Sequence, residues 1–449
     1  MKKRAFDVVV VGSGTAAYYA VAGLKQHSNM TIAIVDERPY GGTCALRGCQ
    51  PKKYLVSNAE SVASVSHLLG RGLEGEVRTN WGALQRLKNE FLQGRSEAAQ
   101  AHWDASGVTT FNGTARMRAD DQIEVGGQVL TAKTIVLATG SLPNQLPIEG
   151  GALARDSEYF LDMEKMPERV TFIGGGFISF EFAHVAIRGG ASAVHILHRS
   201  ARPLRAFEDD LVAVLLKASA AAGIDVQLGV VPERIVATET GYSVHSASGA
   251  VIETDLIIEA TGRHPNLTVL DGNMGNVAFS SKGVEVNSFL QSVSNPRVYA
   301  IGDCADTPYM LAPVADREGQ IAALNIVHGN SHEVDETVVP SAVFSIPTLA
   351  SVGLTEEAAR EQSLKYRVNQ GDTTDWPSSK RIGEEYGAYK VLIDADTDLI
   401  LGAHILRHNA AEVVNVFALA IQFNISASAL ANFLWAYPTS TSDLKYMVK

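Results

Sequence analysis

The run Gly12-Ser13-Gly14-Thr15-Ala16-Ala17 constrains this chain more than any other stretch. It follows a Val-rich apolar segment, Phe6 to Val11, that reads as a buried parallel strand. A helical stretch to Lys25 comes next, then a second apolar run, Thr31 to Val35, ending in Asp36, 22 residues after Gly14. Strand, glycine turn, helix, strand and acid in that order predict a dinucleotide-binding unit. The glycines permit a tight turn and close approach of a pyrophosphate to the helix N-terminus, while the acid accepts from a ribose hydroxyl. Ala17 replaces the third glycine of the usual pattern.

The pattern recurs. Val170 to Ile173 reads as a strand, Gly174-Gly175-Gly176-Phe177-Ile178-Ser179 as the turn, Glu181 to Ile187 as the start of a helix and Ala193 to Leu197 as the next strand. This strand ends in His198-Arg199 rather than an acid, and Arg205 follows. A carboxylate there would bind a 2′-hydroxyl and repel a 2′-phosphate, whereas arginines accept the phosphate. Two turns therefore imply two nucleotides, the second being NADPH; the bland alternative makes Arg199 and Arg205 solvated surface charges. Two apolar runs end alike, in Ala138-Thr139-Gly140 and Ala260-Thr261-Gly262-Arg263, so the two units share an internal repeat. Tyr299 to Asp303 is a further strand, ending in Gly302-Asp303, that returns to the first unit. From about Pro340 the composition shifts to β-branched runs and an Ala-rich helix, Ala410 to Phe423, which reads as a separate α+β domain.

The chain has 449 residues, with Asp+Glu 49 against Lys+Arg 38 and a formal net charge of −11. That length fits about three domains. The acidic balance gives no footprint for nucleic acid or an anionic membrane surface. No run approaches the ~18 uncharged apolar residues of a spanning helix. The start Met1-Lys2-Lys3-Arg4 is basic, but only Val8 to Val11 separate Asp7 from Gly12, too few for a secretory h-region. A soluble, cytoplasmic protein is expected. Three cysteines are too few for a disulfide scaffold, and in a reducing compartment the close pair Cys44 and Cys49 reads as catalytic or metal-binding. Zinc is disfavoured because no suitably spaced His or second pair accompanies them.

The pair lies in Gly41-Gly42-Thr43-Cys44-Ala45-Leu46-Arg47-Gly48-Cys49-Gln50-Pro51-Lys52-Lys53, directly after the first unit. A turn of helix and nearby cations lower a thiol's pKa, and the spacing permits a reducible disulfide. Together with the glycine turns, the two Ala-Thr-Gly motifs, Ala260 to Asn266 and Ala300 to Asp303, this segment resembles the pyridine nucleotide–disulfide oxidoreductases of the glutathione reductase, dihydrolipoamide dehydrogenase and mercuric reductase type. The resemblance runs essentially end to end. It implies an α/β chain with two Rossmann-like domains, for FAD and NADPH, and a C-terminal α+β dimerisation domain. The expected borders are 1–150 and 271–338 for the FAD domain, 151–270 for the NADPH domain and 339–449 for the interface domain.

On the same resemblance, FAD is held by Gly12, Gly14, Thr15, Ala16, Asp36, Glu37, Gly42, Thr43, Lys53, Ala115, Ala138, Thr139, Gly140, Arg263, Gly302, Asp303 and Ala312. The nicotinamide nucleotide falls to Gly174, Gly176, Phe177, Ile178, Glu181, Arg199, Arg205 and Gly262, with Phe177 at the position of an aromatic gate. Cys49 matches the flavin-facing thiol and Cys44 the interchange thiol, and Glu181 matches the partner of Lys53 or Lys52. The enzyme is expected to be a homodimer whose C-terminal segment completes the partner's active site, passing electrons to a small-molecule disulfide or thiol-reactive acceptor in cell redox homeostasis.

The chain departs from the family where that segment normally reads His-Pro-Thr-x-x-Glu. Here it is Tyr437-Pro438-Thr439-Ser440-Thr441-Ser442, followed by Asp443. A phenol, with a reference pKa of about 10 against about 6.5 for imidazole, donates a hydrogen bond but is a poor base at neutral pH. Asp443 is one position late, about 100° around a helix. Ala22 and Gln320 stand where glutathione reductases carry substrate-binding arginines, so glutathione disulfide is a doubtful substrate. The missing imidazole and the two arginines argue against dihydrolipoamide oxidation. Mercuric reductases share a Tyr at this position but end in a vicinal Cys pair, whereas this chain ends Tyr446-Met447-Val448-Lys449. A metal ion or a quinone is the alternative acceptor, and a non-catalytic redox sensor is a third reading. Cys304 reads as a small buried residue, His404 and His408 as structural, Tyr309 and Met310 as packing. The stretch from Glu60 to Asp104 reads as helices over the FAD domain, with Trp81 and Trp103 in the core.

Overall fold

The computed structural model describes residues 3–272 and 274–449; Met1 and Lys2, part of the basic start, and Asn273 lie outside them. The chain divides into two compact units.

The first unit comprises 1–53, 87–144 and 263–336. Strand β1 (Lys3–Val11) leads through the glycine turn to helix α1 (Thr15–His27) and strand β2 (Ile32–Asp36). β1 pairs in parallel with β2 on one side and with Gln128–Leu137 on the other, and Val298–Ala300 adds a further parallel strand beyond that. Val8 to Val11 and Ile32 to Val35 are almost wholly buried. Continuous apolar runs are what a sheet covered on both faces requires. Ala16, Ala17, Ala20, Val21 and Leu24 form the buried stripe of α1. The short helix α2 (Gly42–Leu46) and the long helix α3 (Cys49–Leu68) follow.

The second unit comprises 54–86, 145–262 and 337–449. Its parallel sheet runs in the order Ile224–Leu228, Ala193–His198, Arg169–Ile173, Leu256–Glu259. A three-stranded antiparallel sheet, 232–254, accompanies it. A five-stranded antiparallel sheet, 341–407, carries the helix Ala410–Gln422. Val391, Ile405, Val413 and Phe417 share its core.

The units do not follow the expected borders throughout. The changes fall at 144/145 and 262/263, and residues 54–86 group with the second unit. The stretch from Glu60 to Asp104 is therefore divided. Trp81 packs with Phe160 and Phe182 in the second unit, whereas Trp103 packs with Val21 and Leu24 in the first. Helix α3 carries Leu55, Val56 and Ala59 into the core of the second unit.

Candidate redox and nucleotide sites

In the first unit, β1 ends at Gly12, whose φ is +109°. A Cβ there would lie 2.1 Å from the Ala138 carbonyl oxygen, so only glycine lets the two strand ends meet. The repeat reproduces this contact in the second unit, where a Cβ on Gly174 would lie 2.1 Å from the Ala260 carbonyl oxygen. Helix α1 begins after Gly14 with no side-chain cap, which leaves its first-turn N–H groups to an outside acceptor. Gly42, at φ +70°, brings the cysteine segment onto this turn: a Cβ there would sit 2.3 Å from the Gly14 Cα. The turn is thus a backbone cradle that a side chain would fill, and it fits a pyrophosphate.

Ser13, the residue between the two glycines, donates from Oγ to Asp36 Oδ2 at 2.6 Å and accepts from the Gly41 N–H at 3.1 Å. The Arg38 N–H holds the other Asp36 oxygen at 2.8 Å. The carboxylate is fixed and keeps lone pairs for a ribose. Sequence reasoning passed over Ser13, since a variable position in a motif gives no signal. Thr114 Oγ1 donates to Glu37 Oε2 at 3.0 Å, next to the buried Ala115.

A second cluster surrounds the returning turn. Ser141 Oγ donates to Asp303 Oδ2 at 2.8 Å, and Arg263 donates to Ser141 through Nε (2.8 Å) and a terminal nitrogen (2.7 Å). Thr139 Oγ1 donates to the Asn266 carbonyl at 2.6 Å. Helix Ala312–His328 supplies Glu318, which accepts the Gly302 N–H, and Asp316, which accepts from Thr15 Oγ1. Burial, with Glu336 close by, raises the Glu318 carboxyl to about 7. Neither acid was legible in the motifs. Cys304 is fully buried and points its thiol at the Leu137 and Ile301 carbonyls, a packing role as expected.

Cys44 lies on α2 and Cys49 is the first residue of α3; both are free thiols, Cys44 half-buried and Cys49 exposed. The two thiols hydrogen-bond each other. That bond, then burial, pushes the Cys44 thiol well above its ordinary value, Asp316 adds to the shift and Lys52 opposes it. The helix N-terminus at Cys49 favours negative charge there.

In the second unit the helix Phe177–Arg188 starts after Gly176, again without a side-chain cap. Phe177 is 50% exposed at its first position, Ile178 is half-buried and Ser179 fully buried. Glu181 is 1% exposed and accepts the Phe344 N–H at 3.0 Å. At the end of the neighbouring strand His198 bonds Ser200 Oγ (2.8 Å), to which Arg205 also donates (3.3 Å). Burial, with Arg205 and Arg199 nearby, pulls the His198 imidazole down. Among the described residues no carboxylate pairs with Arg199 or Arg205, and both are exposed.

The C-terminal segment presents Tyr437 at 73% exposure, with Lys445 Nζ 5.6 Å from its ring centre. Ser442 turns inward and donates to the Thr439 carbonyl at 2.7 Å. Asp443 is committed elsewhere, to a buried pair with Arg407 (3.0 Å) and to Ser378. His404 is buried and bonded to Ser351 Oγ at 2.7 Å, and among the described residues no group of three or more His, Cys, Asp or Glu could hold a metal ion. None of the described helices is long and apolar enough to cross a membrane.

Comparison with known proteins agrees with this geometry. The family described as "Pyridine nucleotide-disulphide oxidoreductase" matches residues 6–319, and its "dimerisation domain" matches 339–448. A glutathione reductase of Burkholderia cepacia is 30% identical, over 99% of this chain and 98% of that protein. A trypanothione reductase of Trypanosoma congolense is 31% identical over 98% and 95%. A mercuric reductase of Lysinibacillus sphaericus is 30% identical over 98% and 81%. In fold, the chain is similar to the HOCl-induced flavoprotein disulfide reductase RclA from Escherichia coli, with a TM-score of 0.88 at 24% identity over 98% of this chain and 99% of that one. The chain belongs to the pyridine nucleotide-disulphide oxidoreductases, FAD-dependent flavoenzymes, and carries their dimerisation domain.

Proposed function

We propose that the protein is an NADPH-dependent disulfide reductase in which the Cys44–Cys49 pair relays electrons to a small-molecule disulfide or another thiol-reactive acceptor. The observation that carries this reading is the thiol pair itself, hydrogen-bonded across the start of α3 and set on the nucleotide turn by Gly42. The turn Gly12–Ala16, Asp36, Thr43 and the Arg263–Ser141–Asp303 cluster would hold FAD, and Gly174–Ile178 with Arg199 and Arg205 would hold NADPH. FAD supplies two-electron transfer between nicotinamide and disulfide when bound.

The chain's own work is done by its sulfurs. In the reduced pair, Cys49 is stabilised as the thiolate by its helix terminus, and Cys44 is the interchange thiol. Loss of the Cys44 proton frees its sulfur to attack an acceptor disulfide, forming a mixed disulfide and expelling one thiolate, which takes up a proton. Cys49 then attacks the Cys44 sulfur, releases the second thiolate and restores the Cys44–Cys49 bond. The partner subunit would contribute its C-terminal segment, in which Tyr437 replaces the family's acid–base imidazole. Arg199 and Arg205, which pair with no carboxylate among the described residues, support NADPH over NADH. A cytoplasmic location suits a thiol pair that must be re-reduced.

The test is an anaerobic titration with NADPH, then NADH, followed by alkylation and mass analysis. One equivalent of NADPH should expose two alkylatable thiols, Cys44 and Cys49, and NADH should do so at a markedly higher concentration. Flavin bleaching with both cysteines still protected would mean that the pair is bypassed. The mercuric reductases among the relatives make a metal ion the second acceptor to assay. Cys44→Ser separates the readings further: disulfide reduction should vanish while direct quinone reduction survives.

A further inference from the structure

One charge cluster of the second unit, buried at Lys390 and Glu208 and exposed at Asp210, takes no direct part in the thiol chemistry. Lys390, on the strand Ala388–Asp394, is 5% exposed, and its Nζ contacts three carboxylates: Glu208 at 3.0 Å, Asp210 at 2.7 Å and Glu356 at 3.1 Å. Glu208 also accepts the Glu356 N–H at 2.5 Å, and His404 Nε2 lies 3.8 Å from the same carboxylate. Nearby, Arg202 pairs with Asp209 and, at 2.9 Å, with Glu357.

The placement of these groups is what matters. Arg199, Arg202 and Arg205 lie on the connection from the strand Ala193–His198 to the helix Asp209–Ala221, which starts directly after Glu208. Lys390, Glu356, Glu357 and His404 belong to the segment matched by the dimerisation domain. Arg202 in the middle of the connection and Glu208 with Asp210 at its end are therefore tied to another domain's sheet and helix. A buried ion cluster is weak evidence for stability, because desolvation offsets most of its Coulomb gain; what it secures is position. Lys390 also offsets two carboxylates that would otherwise weaken an anion site a few residues away.

We propose that Lys390 is a positioning residue for nucleotide selection, holding Glu208 and Asp210 so that the connection presents Arg199 and Arg205 to the 2′-phosphate of the nucleotide. This rests on the NADPH reading above. In the holoenzyme, Lys390→Met should raise KM for NADPH about tenfold and weaken binding of 2′,5′-ADP in calorimetry by a similar factor. KM for NADH, binding of 5′-AMP and kcat at saturating NADPH should stay within about twofold, since the Lys390 ammonium is engaged by Glu208, Asp210 and Glu356 and acts through the connection alone. Equal losses for both nucleotides, or none, would overturn the proposal. If Lys390→Met does not fold, Arg202→Gln decides, with a smaller shift in the same direction expected and an unchanged NADPH-to-NADH ratio overturning the idea. A wild-type enzyme that binds 2′,5′-ADP no better than 5′-AMP would instead remove the NADPH reading on which the proposal stands.

Discussion

In the proposed mechanism, Tyr437 and Cys44 would set the chemistry at the scale of single residues. The hydrogen bond to Cys49, then burial, pushes the Cys44 thiol above its ordinary value, so a thiolate forms there less readily at neutral pH. A phenol in the imidazole's place does little to remove that proton, and general acid–base catalysis is worth about 10²–10⁴ in rate. Disulfide reduction should therefore rise with pH from 7 to 9, with the sign set by thiolate formation; a stopped-flow profile at saturating NADPH checks it. Tyr437→His should raise the rate at pH 7 less than about tenfold, because Ser442 bonds the Thr439 carbonyl and Asp443 is bound to Arg407, leaving nothing to orient the ring. Full recovery to a His-containing relative's rate would show that the missing carboxylate is immaterial. The cysteine motif and the Tyr at 437 were legible in the sequence. That Asp443 is occupied was not, because its partners Arg407 and Ser378 are 36 and 65 residues away.

At the scale of elements, the close joins between strand ends and helices carry the nucleotide site. Gly12 and Gly174 make the same contact with their Ala-Thr-Gly strands, so the repeat seen in sequence is a repeat of backbone geometry. Helix Ala312–His328 adds a feature the motifs did not show, the fully buried Glu318 that accepts the Gly302 N–H. Its folded pKa of about 7 lies above the reference value of 4.5. The linkage follows: below the unfolded value both states carry the proton and folding meets no penalty, and stability then falls as pH rises through the folded value. Glu318→Gln mimics the protonated acid and should raise Tm at pH 8 while leaving it unchanged at pH 4, worth at most about 3 kcal/mol. Thermal melts at the two pH values test this, and an equal shift at both would point to packing instead of charge.

At the scale of the whole molecule, the C-terminal domain leaves large apolar side chains in water. Leu434 is 93% exposed, Phe423 68%, Phe433 61% and Leu419 55%. Apolar exposure of this extent marks an interaction surface, and all four residues fall in the segment matched by the dimerisation domain. Leu434→Asp should shift the dimer toward monomer in light scattering and abolish disulfide reduction, while reduction of a quinone by NADPH persists. A monomeric variant that reduces disulfides at the full rate would remove the partner's segment from the mechanism.

Local spacing determined the glycine turns, the acid at Asp36, the paired cysteines and the change of composition near Pro340, because each is a short-range requirement of backbone conformation or of periodic burial. Those signals were enough for the fold class and for the family. The tertiary structure decided what depends on distant partners. It divided the helices between Glu60 and Asp104, since the apolar faces of α3 and of Trp81 are satisfied only by residues a hundred positions on. It also brought Ser13 to Asp36, Glu318 to Gly302 and Lys390 to Glu208, pairings separated by 23, 16 and 182 residues. Hydrogen bonds and ion pairs of that kind have no period, and only the folded chain chooses them.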